Sequence, residues 1–341
     1  MSMTWKAAVA GSVAALVALT GCGTSGGGGS SEDGATTLSL VGFAVPEKAN
    51  EDLQAAWAKT DDGTGVTWKT SYGASGDQSR AVESGLDADY VHFSLEGDVT
   101  RLVDADLVAK DWNAGEDKGI VSQSVVVLVV RKGNPKNIQG WDDVVKPGVG
   151  IVTPNPGSSG SARWNIMAAW NHVIAQGGSE AEATAFVTKF FDNAVALPGS
   201  GREATTAFTS GNGDVLVSYE NEAILARANG EDFDYVVPDD TLLIENPGAV
   251  LKDADPKAQK WLDFLLTDEA QAIFGKDGFR PLSGEVDYDV EGANDPSNPF
   301  PEPEDLATIG EDYDGWSAVN DTFFDEENGV ITKIQAETGK Q

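Results

Sequence analysis

The stretch Gly150-Ile151-Val152-Thr153-Pro154-Asn155-Pro156-Gly157-Ser158-Ser159-Gly160-Ser161-Ala162-Arg163 carries the reading of the fold. It opens as a short β-branched run, turns through Pro, Asn, Gly and Ser, and enters a helical pattern over Ala162 to Gln176. A strand that passes at once into a helix is the repeating unit of α/β proteins with parallel strands. Working outward, the same succession recurs on both sides. Val66 to Ser71 leads through Tyr72-Gly73-Ala74-Ser75-Gly76-Asp77-Gln78 into Gln78 to Gly85, and Ala194 to Leu197 leads through Pro198-Gly199-Ser200-Gly201-Arg202 into Glu203 to Ser210. Val215 to Tyr219 precedes a helical pattern at Glu222 to Asn229, and Leu38 to Phe43 precedes one at Pro46 to Lys59. Further strands are expected at Tyr90 to Leu95 and Ser124 to Arg131, and further helices at Glu180 to Phe191 and Pro256 to Leu266. The chain has no internal repeat.

A chain of 341 residues exceeds the usual span of one compact core, which predicts two lobes. Two stretches read as crossings between them: the continuously apolar Ser124 to Arg131, and Asp234 to Leu251, where extended pieces follow one another without a helix. The expected division is a discontinuous first lobe, 37–123 and 245–341, and a continuous second lobe, 124–244. From Ser283 the chain is acidic, carries Pro296, Pro299, Pro301 and Pro303, and then shows a helical pattern around Trp316, Phe323 and Ile331 that is expected to pack back on the lobes.

The net charge of -32, from 55 acidic and 23 basic residues, argues against a nucleic-acid or anionic-lipid surface. Lys6 precedes an apolar stretch, Ala7 to Leu19, which is too short for a membrane-spanning helix and the right length for a signal-peptide core. It ends in Leu19-Thr20-Gly21-Cys22, which resembles the lipobox of bacterial lipoproteins. That resemblance implies removal of residues 1–21 and lipid on Cys22, with residues 22–36, rich in Gly and Ser, as a tether. Cys22 is the sole cysteine, so the folded part has neither a disulfide nor a thiolate for catalysis or metal. The expected address is extracytoplasmic, anchored to the cell membrane.

The three Gly/Ser loops at 72–78, 155–163 and 198–202 each open a helix. A helix N-terminus leaves N–H groups unpaired and slightly positive, and small residues let an anion approach them. Arg80, Arg163 and Arg202 lie near these helix starts, where the macrodipole disfavours a cation unless negative charge is close. Two readings are open: an anion lies among them, or they pair with local acids such as Asp77 and Glu203.

Three blocks carry a specific likeness: Tyr72 to Val82, Thr153 to Asn165, and Gly213-Asp214-Val215-Leu216-Val217-Ser218-Tyr219-Glu220-Asn221-Glu222-Ala223. They resemble the sulfate-binding proteins of bacterial ABC importers, from about Leu38 to Leu282, with Phe279-Arg280-Pro281 similar to a late signature of that family. The resemblance implies a two-lobed α/β fold of the type II periplasmic-binding-protein kind, each lobe a mostly parallel sheet flanked by helices, with the ligand in the cleft between. It implies sulfate held by the Ser75 N–H, the Ser159 hydroxyl, the Gly160 and Ser161 amides, the Gly201 amide and Tyr219. Gly76, Asp77, Gln78, Arg80, Arg163, Arg202 and Glu220 are expected to support that site. Two positions depart from the family. Ser161 stands where Gly is frequent, and Tyr219 stands where Trp is common; a phenol both donates and accepts. Asp77, in the first turn of its helix, is expected to satisfy backbone amides, leaving Tyr219 to donate to the anion.

No enzyme, cofactor or metal is expected. Gly199-Ser200-Gly201-Arg202-Glu203-Ala204 formally fits a dinucleotide fingerprint but is isolated from the context such a motif needs. His92 and His172 have no Cys nearby to form a zinc site. Asp287, Asp289 and Glu291 imitate half a calcium loop, with Asn298 where a bidentate Glu is required. The expected function is capture of sulfate, or thiosulfate, for delivery to membrane permease subunits by a monomeric binding protein. The rivals are a receptor for phosphate, molybdate or chromate, and a secreted hydrolase using Ser75 or Ser159, neither of which has an evident His base.

Overall fold

A computed structural model describes residues 36–340 of the chain. The expected signal peptide, Cys22 and the tether up to residue 35 lie outside the described residues. Strand β1 (Thr36–Phe43) leads to α1 (Glu47–Trp57), β2 (Val66–Gly73) to α2 (Ser75–Glu83), and β3 (Tyr90–His92) to α3 (Glu96–Asp104). Then come β4 (Ile120–Arg131), α4 (Trp141–Val144), β5 (Ile151–Val152), α5 (Gly160–Ala175), α6 (Glu180–Asn193), β6 (Ala194–Ala196), α7 (Gly201–Thr209), β7 (Val215–Tyr219) and α8 (Glu220–Ala228). Next are β8 (Phe233–Val236) and β9 (Asp240–Val250), then α9 (Lys257–Leu265) and α10 (Asp268–Lys276). The tail supplies β10 (Asp305–Ala307), α11 (Ile309–Asp312), α12 (Gly315–Phe323) and α13 (Val330–Thr338).

The main strand order is β2-β1-β3-β9-β4-β7-β5-β6, with β8 on β4 and β10 on β9. Pairing is parallel within β2-β1-β3 and within β7-β5-β6, while every ladder of β4 and those of β9 with β3 and β4 are antiparallel. The two long strands are each shared between ladders. The first part of β4 pairs with β9 and its second part with β7 and β8, and β9 in turn passes from β4 to β3.

The run Ile120-Val121-Ser122-Gln123-Ser124-Val125-Val126-Val127-Leu128-Val129-Val130-Arg131 explains why β4 holds the centre. Its β-branched residues suit a pleated strand, and side chains alternate between faces. Val126, Leu128 and Val130 enter one core and Val125, Val127 and Val129 another, all at most 1% exposed. The stretch Val125 to Val130, apolar at every position, is the mark of a strand covered on both faces. Helix α5 is likewise buried nearly all round, from Ala162 through Trp170. The tail covers it: Trp316 meets Trp164 edge-on at 4.6 Å and Phe323 meets Trp170 at 4.8 Å. Helix α13 packs on α6, and the Lys340 ammonium donates to the Ala194 carbonyl at 2.7 Å.

Sequence periodicity placed most elements, but four helices start two or three residues earlier than expected, at Ser75, Gly160, Gly201 and Glu220. Ser and Gly are weak helix formers, so at Ser75, Gly160 and Gly201 the propensity signal begins only after them, a reason that does not extend to Glu220. The consequence is chemical: the Ser and Gly residues of interest form first turns rather than loops.

Candidate functional site

Helices α2, α5, α7 and α8 begin with Ala74, Ser159, Ser200 and Tyr219 at their N-cap positions. Short contacts tie these starts together around Ser94, at the junction of β3 and α3. The Ser94 N–H donates to Ser75 Oγ at 2.9 Å, and Ser94 Oγ lies 2.7 Å from the Tyr219 hydroxyl. A Cβ added at Gly160 would stand 2.6 Å from Ser94 Oγ, and one at Gly201 would stand 3.0 Å from Ser161 Oγ and 3.1 Å from Val45 Cγ2. Only glycine permits the first of these approaches. Gly76 donates to the Ser158 carbonyl at 3.1 Å, joining the first loop to the second, and Ser158 Oγ donates to the Gly199 carbonyl at 2.7 Å, joining the second to the third.

Ser75, Ser159, Gly160, Ser161, Gly201 and Tyr219 are thus brought together, all of them buried. Among the described residues, the N–H groups of Ser75, Gly160, Ser161 and Gly201 have no hydrogen-bond partner. Ser159 is more telling. Ser179, Ser200, Thr267 and Thr308 stand at N-cap positions and their side chains accept from the first turn, as such residues ordinarily do, whereas Ser159 at the start of α5 makes no capping bond. The residue is buried, and among the described residues its hydroxyl has no hydrogen-bond partner. The Ser75 hydroxyl differs: it donates to the buried Asp98 carboxylate at 2.6 Å and accepts from Ser94, so only its amide is available.

Every arginine singled out in the sequence is engaged by protein. Arg80 pairs with Asp77 at the surface. Arg163 donates to the Pro156 carbonyl at 3.2 Å and to Asn320 Oδ1 at 2.6 Å, with its guanidinium 4.9 Å from the Phe324 ring centroid. Arg202 grips Glu222 at 2.8 Å and the Val45 carbonyl at 3.1 Å. Of the open readings, pairing with acids therefore describes Arg80 and Arg202, the latter through Glu222 rather than Glu203. Glu203 instead accepts from the Gly199 N–H at 3.0 Å. The expectation that Asp77 satisfies backbone amides is corrected. Helix α2 has no side-chain cap, and the exposed Asp77 carboxylate reaches one turn onward to Arg80. Gln78 folds back to accept from Ser71 Oγ at 3.0 Å and lies against Gly73. Glu220 is fully buried in a pair with Arg280, at 2.7 Å and 3.1 Å.

Electrostatics around the cluster keep the hydroxyls intact. Burial pushes the Tyr219 phenol well above its usual value, against the opposing influence of Ser94, Ser161 and Asn246, so it keeps its proton. Burial also pushes the Asp98 carboxyl up, opposed by the Ser75 hydroxyl and by the charges of Arg163, Arg101 and Arg80. Behind the site His92 is pulled down to about 3 by burial and stays neutral, lying 3.3 Å from both Asn50 Oδ1 and Ser122 Oγ. His172 instead lies beside Asp240 and Asp142, far along α5. Among the described residues no group of three or more His, Cys, Asp or Glu is placed to hold a metal ion.

Sequence reasoning missed Ser94, Asp98 and Val45. The Val45 N–H, following β1, is buried and has no partner among the described residues. Ser94 and Asp98 had a legible signal: Val99, Leu102 and Val103 follow at helical spacing, making Tyr90 to Asp104 one more strand–Ser–helix unit.

Residues 38–280 match the family described as bacterial extracellular solute-binding protein. The chain belongs to that family. Its curated relatives include a sulfate-binding protein of Synechococcus elongatus, 40% identical over 94% of this chain and 93% of the relative. A thiosulfate-binding protein of Pseudomonas aeruginosa is 35% identical, over 84% and 86%. Among solved structures, the sulfate-binding protein SubI from Mycobacterium tuberculosis superposes with a TM-score of 0.79 at 43% identity, covering 85% of this chain and all of that one. This solute-binding family member therefore has the mixed α/β, periplasmic-binding-protein-like fold that the sequence blocks implied.

Proposed function

We propose that the protein captures sulfate at the meeting point of α2, α5, α7 and α8 and delivers it to the membrane subunits of an ABC importer. The observation that carries this reading is the non-capping hydroxyl of buried Ser159 beside four N–H groups without a partner among the described residues, with Arg80, Arg163, Arg202 and Arg280 committed to protein acceptors. A tetrahedral dianion that offers only acceptors suits a shell of neutral donors. Each charge-assisted bond contributes on the order of 1.5–3 kcal/mol, and no buried countercharge is needed. The Ser75, Gly160, Ser161, Gly201 and Val45 amides, the Ser159 hydroxyl and the Tyr219 hydroxyl are the proposed donors. Thiosulfate fits the same logic through its oxygens, and a relative bears that name. Strands β4 and β9, each shared between ladders, are the proposed crossings between two lobes that close on the ligand. Lipid on Cys22 is the proposed anchor, and a monomer the proposed form.

Titration of the purified protein with sulfate, thiosulfate, phosphate, molybdate and chromate by calorimetry tests the reading. Sulfate should bind at least about tenfold more tightly than phosphate, a difference of about 1.4 kcal/mol or more, and its affinity should stay nearly flat from mildly acidic to neutral pH. Phosphate displacing sulfate at equal concentration would overturn it.

A further inference from the structure

We propose that Ser94 is a positioning residue that sets the anion preference by making Tyr219 a one-way donor. The proposal rests on the sulfate reading above and adds to it a residue that does not itself hold the anion. The geometry is specific. The Ser94 backbone is pinned by three bonds: its N–H to Ser75 Oγ at 2.9 Å, and its carbonyl accepting from Trp164 Nε1 at 2.9 Å and Asn246 Nδ2 at 3.2 Å. Its Oγ lies against the Cβ-less face of Gly160 and, among the described residues, has the Tyr219 hydroxyl at 2.7 Å as its one hydrogen-bond partner. Both hydroxyls are buried.

Two hydroxyls in contact share two protons, and only one of them lies between the oxygens. If Ser94 donates, the phenol oxygen has an acceptor position filled and the phenol proton is free to point at the anion; both protons are used. If Tyr219 donates, its lone pairs face the anion and the Ser94 proton is stranded against Gly160, with no acceptor. Asn246 acts in the same sense: its Oδ1 accepts from Ser122 Oγ at 3.4 Å and its amide nitrogen donates to the Ser94 carbonyl at 3.2 Å, so the amide turns donors rather than an acceptor toward Ser94. A sulfate dianion requires the first arrangement. Hydrogen phosphate needs one acceptor for its own proton, and the phenol could supply it only in the second, which Ser94 disfavours. Ser94 thereby resolves the ambivalence that a phenol brings to this position.

The test compares wild type, Ser94→Ala, Tyr219→Phe and the double variant by calorimetric titration with sulfate, selenate and phosphate at pH 8, where phosphate is mainly a singly protonated dianion. Ser94→Ala should weaken sulfate and selenate about tenfold while leaving phosphate unchanged or tighter, so that the sulfate-to-phosphate ratio drops about tenfold or more. In the Tyr219→Phe background the same change should leave the ratio unaltered, because the phenol it acts through is gone. Equal losses for all three anions, no loss for any, or the same drop in ratio without the phenol would overturn the proposal. Should Ser94→Ala not fold by thermal unfolding, Ser94→Gly carries the same prediction. Should that fail too, Tyr219→Phe alone must lower the ratio. Wild type without sulfate binding would overturn the sulfate reading and this one with it, whereas wild type that prefers sulfate with a ratio indifferent to Ser94 overturns this one alone.

Discussion

Ser159→Ala and Ser75→Ala remove the same atom from two buried serines about the same site, and the structure separates their consequences. Ser159 Oγ has no hydrogen-bond partner among the described residues, and although the residue stands at an N-cap position it makes no capping bond, so the usual cost of about 1 kcal/mol for losing a cap does not arise. If the hydroxyl serves the anion, its removal forfeits one charge-assisted bond of about 1.5–3 kcal/mol, which weakens binding by about one to two decades. Ser75 Oγ holds Asp98 at 2.6 Å and the Ser94 N–H at 2.9 Å. Its loss strands a buried carboxyl group and a buried N–H, at about 1–3 kcal/mol for each group left unsatisfied. The expected pattern is therefore crossed. Ser159→Ala lowers sulfate affinity with little change in thermal unfolding, and Ser75→Ala lowers the unfolding temperature of the ligand-free protein by several degrees. Calorimetric titration paired with differential scanning calorimetry reads both. Unchanged sulfate affinity in Ser159→Ala would remove its hydroxyl from the donor shell, and an unshifted transition in Ser75→Ala would refute the internal role given to its hydroxyl.

Glu220→Ala should destabilise the protein by about 3–5 kcal/mol in denaturant unfolding, because it leaves Arg280, 12% exposed, without its carboxylate; a loss below about 1 kcal/mol would contradict the pairing. Burial pulls His172 down, but hydrogen bonds and charge from Asp240 and Asp142 outweigh it and leave its pKa raised. A raised folded value means that the stabilisation is fully present below the unfolded value and is lost as pH rises through the folded one. Wild type should accordingly exceed Asp240→Asn in stability by more at pH 5.5 than at pH 8.5, and a gap that widens with pH would contradict this. Cys22→Ser should release the protein from the membrane fraction or leave its precursor uncleaved, as read by fractionation and mass spectrometry.

The fold was legible wherever burial wrote a period into the chain. The apolar run at Ser124 to Arg131 marked a strand, and the strand–loop–helix succession at 66–85, 150–176 and 194–210 marked parallel units. The first turns were not legible, because Ser75-Gly76, Gly160-Ser161 and Gly201 hide a helix start behind weak propensity. The candidate site was partly visible, since glycine and serine at helix starts have a stated chemistry, but the partners of its polar groups were not. Asp77 could cap or pair, and only the position of Arg80 one turn away decides it. Arg202 chooses Glu222, twenty residues on, over its neighbour Glu203. Ser94 was invisible as a site residue because its role depends on Tyr219, 125 positions away. Pairings of that range are set by topology, which local pattern does not encode.

The parallel register of β1 and β2 also has a practical side. Thr36 begins β1 opposite Val66, and both strands end beside the proposed anion, at Phe43 and Gly73. A parallel strand rises about 3.3 Å per residue, so the point where the preceding chain joins the folded part stands about 25 Å from the mouth of the site. A protein grafted to an electrode or a bead through that end would present its receptor face outward, unobstructed by the support, and is the orientation to choose when this chain is made into an anion sensor.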